Sequence, residues 1–307
     1  MLQDRVRGAG LYLESDDSAV EAANTNSVKR FLQQGVQVGK MDAVNTDAES
    51  YVLWQWVGNG TGTTNSDGSG ADVTVSANAT AGFSIVKYVG DDTSGRTIGT
   101  GLTAQPAFIL IKNMDNSSYD WQVYHKSVGN TASLSLNINS IPSVSSTYWN
   151  DTSPATSTPF VFSVGNSVAI NKASDDFIAY VWAEVAGYSQ FGEYTGNNST
   201  DGPFINMSFA PAYFMFKRTD GNGDWYTFDS SRNTYNPANN ILALNSSNSE
   251  STMASNSSNG KIDFLSNGIK FRSGNGSDFN GSGAEFIYAA FASNPFGGSG
   301  VNQVKAR

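Results

Sequence analysis

Few side chains in this sequence could do chemistry, because its 307 residues include one histidine, His125, and no cysteine. Disulfides and thiolate sites are excluded, and one imidazole cannot build a histidine-rich zinc or iron centre. Any metal would be held through oxygen. The loop Asp220-Gly-Asn222-Gly-Asp224 offers Asp220, Asn222 and Asp224 at the first, third and fifth positions of a calcium loop, yet Ser231 stands where the bidentate glutamate belongs. A plain turn is the competing reading. His125 has no Gly-x-Ser-x-Gly elbow near it and reads as a surface or strand-edge residue. Glu184, Glu193, Asp175 and Asp176 are raw material for a paired-carboxylate hydrolase, but no strand alternation sets two of them on one cleft. The run Gly58-Asn-Gly60-Thr-Gly62 has the glycine density of a phosphate loop without its lysine or following helix, and reads as linker. That leaves two pairs, Lys112 with Trp121 and Lys217 with Trp225. Each could stack a sugar on the indole beside a cation; alternatively, each tryptophan anchors a core and its lysine snorkels over the ring or contacts its face.

Both pairs occupy matching places in a repeat, so the elements that position them are read from that repeat. From Phe83 the order is Tyr88-Val-Gly90, Pro106-Ala-Phe108, Lys112, Trp121-Gln-Val-Tyr124, Leu134-Ser-Leu136-Asn137, Phe160-Val-Phe162 and Phe177-Ile-Ala-Tyr-Val-Trp182. About 105 residues later it returns as Tyr194-Thr-Gly196, Pro211-Ala-Tyr213, Lys217, Trp225-Tyr-Thr-Phe228, Leu242-Ala-Leu244-Asn245, Phe264 and Phe286-Ile-Tyr-Ala-Ala-Phe291. The first 56 residues match only the second half of this order. Asp4 to Arg7 answer Asp229 to Arg232, Leu11 to Leu13 answer Leu242 to Leu244, Phe31-Leu32 with Gly35 answer Phe264-Leu265 with Gly268, and Tyr51 to Trp56 answer Phe286 to Phe291.

The apolar runs are short, alternating, and rich in Val, Ile, Phe, Tyr and Trp, as strands are, and glycine- and asparagine-rich clusters punctuate them as turns. Only Ala19 to Ala23 hints at a helix. These patterns predict an all-β chain of tandem antiparallel β-sandwich modules, the first incomplete. The expected boundaries are 1–57 for the C-terminal half of a module, 58–82 for a Gly/Ser/Thr/Asn-rich flexible linker, 83–187 and 188–296 for complete modules, and 297–307 for a tail. Tyr88-Val-Gly90 and Tyr194-Thr-Gly196 read as a strand end followed by a turn glycine. Trp121 and Trp225 are expected at equivalent buried sites.

Composition narrows the function. With a formal net charge of −9 and only 15% charged residues, the chain has no basic patch to neutralise phosphates, so nucleic acid is not an expected partner. No apolar run reaches the roughly 18 residues of a membrane span, and Met1 to Gly10 carry charge where a signal peptide is apolar. Membrane insertion is not expected.

Taken together, Gly82-Phe83-Ser-Ile-Val-Lys-Tyr88, Pro106-Ala-Phe-Ile-Leu-Ile-Lys112, Trp121-Gln-Val-Tyr-His125, Phe177-Ile-Ala-Tyr-Val-Trp182 and the tail Asn294-Pro295-Phe296-Gly297-Gly298 ending in Ala306-Arg307 resemble the tandem repeats of tail and virion proteins from marine bacteriophages. The resemblance implies a lectin- or glucanase-like sandwich of jelly-roll or concanavalin type and carries over no catalytic residue. It implies a noncatalytic virion structural or appendage protein of the tail-fibre or host-adhesion kind. Such a protein would sit in the virion without a cofactor, and its partners would be other virion proteins, further copies of itself and a host surface glycan. The alternative is a carbohydrate-binding module or glycan-cleaving domain. Residues 1 to 56, lacking half a module, would expose apolar surface and strand edges, to be covered by upstream sequence or by another chain.

Overall fold

A computed structural model describes the chain except residues 34, 71–72, 151–159, 253–259, 275 and 293–307. The expected tail, 297–307, lies outside the described residues. The first stretch holds β1 (Leu11–Tyr12), β2 (Ala22–Ala23), β3 (Val28–Leu32), β4 (Gly35–Val38) and α1 (Asp42–Asn45). Next come β5 (Thr63–Asn65), β6 (Val73–Asn78), β7 (Phe83–Val89), β8 (Arg96–Gly99), β9 (Pro106–Asn113), β10 (Gln122–His125), β11 (Ala132–Ser135), β12 (Ser143–Val144), α2 (Ser146–Trp149), β13 (Val161–Val164), α3 (Val168–Asn171) and β14 (Asp176–Ala183). The third stretch holds β15 (Ser189–Thr195), β16 (Phe204–Asn206), β17 (Pro211–Arg218), β18 (Tyr226–Asp229), β19 (Asn240–Ala243), β20 (Ser251–Thr252), β21 (Ile262–Leu265), β22 (Gly268–Phe271), α4 (Ser277–Asn280) and β23 (Glu285–Ala292).

The protein is all-β, and every pairing between described strands is antiparallel. An eight-stranded sheet runs β12-β11-β10-β9-β14-β7-β6-β5, with β8 and β13 as a separate pair. A six-stranded sheet runs β15-β23-β17-β18-β19-β20, accompanied by the three-stranded sheet β16-β22-β21. In the large sheets the last strand of the stretch lies next to the proline-led strand, β14 between β7 and β9 and β23 between β15 and β17.

Apolar alternation assigns each side chain to a core. Val86 and Tyr88 of β7 join Phe177, Ala179 and Val181 of β14 under Ile98, Phe162 and Val164 of the small pair. The third stretch buries Tyr194, Phe286, Tyr288 and Ala290 with Ile205, Ile269 and Phe271. The opposite faces meet in a third core. There Phe83, Ile85, Ile178, Tyr180 and Trp182 pack with Phe191, Tyr213, Ile287 and Phe291, and with Leu2, Val6, Leu13, Trp54 and Trp56 from the first stretch.

Several expectations need correction. The segment 58–82 is not a flexible linker: it contains β5 and β6, and β6 pairs with β7 from Thr74↔Lys87 to Asn78↔Phe83. Two alternating valines suffice, since Val73 and Val75 are buried while Thr74 between them and Ser76 and Asn78 after them are tolerated on a pleated strand. Ala19 to Ala23 form no helix; Ala22–Ala23 is strand β2. Tyr51 to Trp56 make no strand ladder with described residues. The leucine register shifts by two, because the bridges Leu2↔Leu13, Val123↔Leu134 and Thr227↔Leu242 match Leu13 to Leu134 and Leu242 rather than to Leu136 and Leu244. A Leu-x-Leu pattern has period two, so both registers keep the same face inward and sequence cannot separate them.

Gly90 and Gly196 are also not turn glycines in the left-handed region. Each lies where a Cβ would come within 2.1 Å of the Lys172 carbonyl or 2.2 Å of the Gly281 carbonyl, so close backbone approach requires them.

The sheet position of β6 has a direct check. Amide hydrogen exchange at 73–78 should be slowed to the level of β7, whereas a free linker would exchange at once.

Candidate functional site

Lys112 and Lys217 are the penultimate residues of the proline-led strands β9 and β17 and are fully buried, as are Trp121 and Trp225. Neither lysine snorkels. The Lys112 ammonium donates to the carbonyls of Asn113 (2.7 Å), Tyr119 (3.1 Å) and Asn116 (3.4 Å), and Lys217 donates to those of Arg218 (2.7 Å) and Asn139 (3.2 Å). Burial pulls both lysines down to about 8, against the pull of Asp17 and Asp120 on Lys112 and of Asp224 and Asp278 on Lys217. A side chain that must leave water but finds only backbone oxygens keeps its charge poorly. These ammonium groups tie down turns, and with both indoles buried no exposed ring is left at either pair for a sugar to stack on.

Each tryptophan is locked by the same set of groups. Asn137 accepts the Trp121 backbone N–H through its amide oxygen and donates to Asp120 at 2.7 Å; Asn245 does the same for Trp225 and Asp224, at 2.8 Å. Each indole Nε1–H then crosses to the preceding stretch. Trp121 donates to the Glu14 carbonyl and Trp225 to the Ser135 carbonyl, both at 2.8 Å. Glu14 and Ser135 each follow the bridged leucine, Leu13 or Leu134, so the two contacts are equivalent.

A second set of contacts crosses the other way, through Asp4, His125 and Asp229. Each caps the turn behind it: Asp4 Oδ1 accepts Val6 N–H, His125 Nδ1 accepts Ser127 N–H and Asp229 Oδ1 accepts Ser231 N–H. Their outward atoms face different partners. Asp4 Oδ2 accepts the Tyr180 hydroxyl at 2.8 Å, His125 Nε2 lies 3.1 Å from the Tyr288 carbonyl, and Asp229 Oδ2 accepts Trp54 Nε1–H at 3.2 Å. The first stretch thus reaches the second, the second the third, and the third the first.

Arginines complete two of these contacts. Arg7 pairs with Asp4 and Glu21 and donates to Tyr180; Arg232 pairs with Asp229 and Glu250 and lies over the Trp54 ring. Burial opposes the Arg7 charge, but Tyr180, Asp4 and Glu21 outweigh it and hold the guanidinium above its ordinary value. His125 is the buried exception, not a surface residue. With Nδ1 accepting from Ser127, its proton belongs on Nε2 and points at the Tyr288 carbonyl. Burial drives its pKa down to about 4, with Lys126 acting the same way and the Tyr288 bond opposing.

The other candidates are scattered. Asp220 pairs with Arg218 at 2.8 Å and Asp224 holds Asn245; Gly223, beside Asn222, donates its N–H to the Asn139 carbonyl. Asp220, Asn222 and Asp224 thus belong to a turn braced by Arg218, and no group of three or more His, Asp or Glu able to hold a metal gathers among the described residues. Glu184 pairs with Lys126, Asp175 with Lys172 and Asp176 with Lys87. A cavity of about 370 Å³ between the first two stretches is lined by Arg7, Glu21, Lys87, Asp115 and Asp176. Its cations are already matched to carboxylates.

What remains is the outward side of the first stretch. From Tyr51 to Val57 exposure alternates, with Val52, Trp54 and Trp56 turned in and Tyr51, Leu53, Gln55 and Val57 turned out. Sequence reasoning aligned this run with β23 but did not single out its outward residues, although their alternation was legible.

A family model described as "Domain of unknown function (DUF7483)" matches residues 1–295, running through the first stretch, the supposed linker and both longer stretches without a break. The chain belongs to this family. No curated protein and no solved structure matches it. The DUF7483 match spans all three stretches that the buried contacts join.

Two measurements test these contacts. Truncating Trp121 or Trp225 to alanine should each cost about 3 to 5 kcal/mol in denaturant unfolding. His125 stays neutral when folded while the unfolded residue protonates near its ordinary value of 6.5, so the unfolded state binds the extra proton between those limits. Stability should therefore fall as pH drops from about 6.5 to about 4, by roughly 3 kcal/mol from this group. In His125→Gln that part of the pH dependence should vanish from the unfolding curves.

Proposed function

We propose that this DUF7483 chain is a noncatalytic structural or appendage protein of a phage virion, of the tail-fibre or host-adhesion type, built from tandem β-sandwich repeats of which the first is a half. The cycle of buried contacts from Asp4 to Tyr180, His125 to Tyr288 and Asp229 to Trp54 carries this reading. It joins the three stretches around a shared apolar core, as suits a building block that transmits force and position. The matched strand orders around β14 and β23 support the repeats, and the resemblance of the sequence to virion proteins supports the location. Self-association and contacts with other virion proteins follow from the same reading, with a host surface glycan as a further partner.

On this reading the ionisable groups keep structural posts: His125 orients a strand crossing, and the lysines bind turn carbonyls. Glycan cleavage would need two carboxylates converging on one cleft, whereas Glu184, Asp175 and Asp176 each face their own lysine and Glu193 stands exposed on β15.

Mass spectrometry of purified particles carrying the encoding genome should find the chain in many copies. The isolated protein should release no reducing ends from host polysaccharide. Its absence from particles, or glycan cleavage lost on changing one carboxylate, would overturn the reading.

A further inference from the structure

The two longer stretches show what normally covers the run equivalent to Tyr51 to Val57. In β14, Phe177, Ala179, Val181 and Ala183 form one face, buried beneath β8 and β13, while β7 and β9 pair with the two edges. In β23, Phe286, Tyr288 and Ala290 are buried beneath β16 and β22, between β15 and β17. Aligned with these, Tyr51 and Leu53 take the places of Phe177 and Ala179 or of Phe286 and Tyr288. They are 50% and 60% exposed, and Val57 is 67% exposed.

The second layer of the first stretch is open as well. Val38 of β4 is 39% exposed, whereas Val164 of β13 and Phe271 of β22, which end the equivalent strands, are fully buried. No backbone hydrogen bond joins residues 51–57 to a described residue. Apolar side chains, an unpaired backbone and a two-residue period thus coincide on one surface.

One tryptophan contact also lacks a third counterpart among the described residues. Trp121 meets the carbonyl of Glu14 and Trp225 that of Ser135; the third equivalent position is the Ala243 carbonyl, on the third stretch, which accepts the Ser246 N–H at 3.3 Å. No tryptophan among the described residues donates to it.

We propose that the face formed by Tyr51, Leu53, Val57 and β4 takes up, by β-strand addition, a segment of another polypeptide that carries the first half of this repeat. Its recognition pattern is the one visible twice here, a tyrosine-x-glycine strand, a proline-led apolar strand ending in lysine, and a tryptophan that reaches Ala243. The described first-half strands of this chain, β7, β9, β15 and β17, are already paired with β14 or β23, so none of them is free to fill this face. A whole second copy would have to open one of its own sheets to supply such a strand. Added strands gain affinity from main-chain bonds and specificity from pockets for alternate side chains, and both are present. This inference stands on strand pairing and burial and does not depend on the virion assignment.

The test uses the full chain and a fluorescein-labelled peptide with the sequence of residues 82–90, the strand that flanks β14. Fluorescence anisotropy should show saturable binding, absent for a scrambled peptide and at least tenfold weaker for Leu53→Asp. Leu53 is exposed, so that variant should keep the parent melting temperature. Hydrogen exchange at 51–57 should slow when the peptide binds. No saturable binding, or undiminished binding to Leu53→Asp, would overturn the proposal. So would a dimer in sedimentation that Leu53→Asp abolishes, because a second copy would then occupy the face.

Discussion

Everything in this structure follows from a strand that is buried on both sides. In β14, Phe177, Ala179 and Val181 enter one core while Ile178, Tyr180 and Trp182 enter another, and β23 divides Phe286, Tyr288 and Ala290 from Ile287, Ala289 and Phe291 in the same way. Strands covered on both faces read as continuous apolar runs, because no side is left for polar residues. The small sheets cover one face. Only another stretch of chain can cover the other, and each large side chain buried there contributes about 1.5 to 3 kcal/mol. A stretch excised alone would expose Trp182 or Phe291 and their neighbours, so the three cannot be beads on a string.

Apolar burial is not directional and would allow the stretches to slide against one another. Orientation comes from the polar crossings at Asp4, His125 and Asp229, which share one backbone task and differ in their outward partner. A carboxylate serves where the partner donates, as the Tyr180 hydroxyl and the Trp54 indole do. At the middle crossing the partner is the Tyr288 carbonyl, which only accepts. An aspartate there would set oxygen against oxygen inside the core. The lone histidine in the sequence is therefore explained by a neighbour that needs a donor.

Much of this was legible beforehand. The all-β class follows from alternation and turn residues, and the burial of Trp121 and Trp225 follows from their recurrence in the repeat. The failures have physical reasons. Strand β6 was missed because two valines among Ser, Thr and Asn carry little hydrophobic signal, yet one buried face is enough to hold a strand. Snorkelling was wrongly expected of Lys112 and Lys217 because sequence does not show where free carbonyls collect. His125 reads from sequence as a surface or strand-edge residue because its partner lies 163 residues away, a pairing that only the folded arrangement creates. The crossings themselves join residues as far apart as Asp4 and Tyr180, beyond the reach of any local pattern.

The first stretch shows what the two-sided constraint becomes when one side is filled and the other is not. Its inward residues are held firmly: Trp54 is bonded to Asp229 beneath Arg232, and Trp56 makes edge contacts with Trp182, Tyr213 and Phe291 at 5.3 to 5.8 Å. With two of every four residues anchored, the run cannot roll over to hide Leu53 and Val57, because turning them in would turn the tryptophans out. Sequence period therefore locks apolar side chains into solvent. An amphipathic helix would match such a row poorly, since its contacts recur every three to four residues rather than every two. A lipid surface would leave the backbone amides and carbonyls of 51–57 without partners in an apolar medium, at a cost of several kcal/mol each. A β-strand alone meets both the side chains at their two-residue spacing and the polar backbone between them.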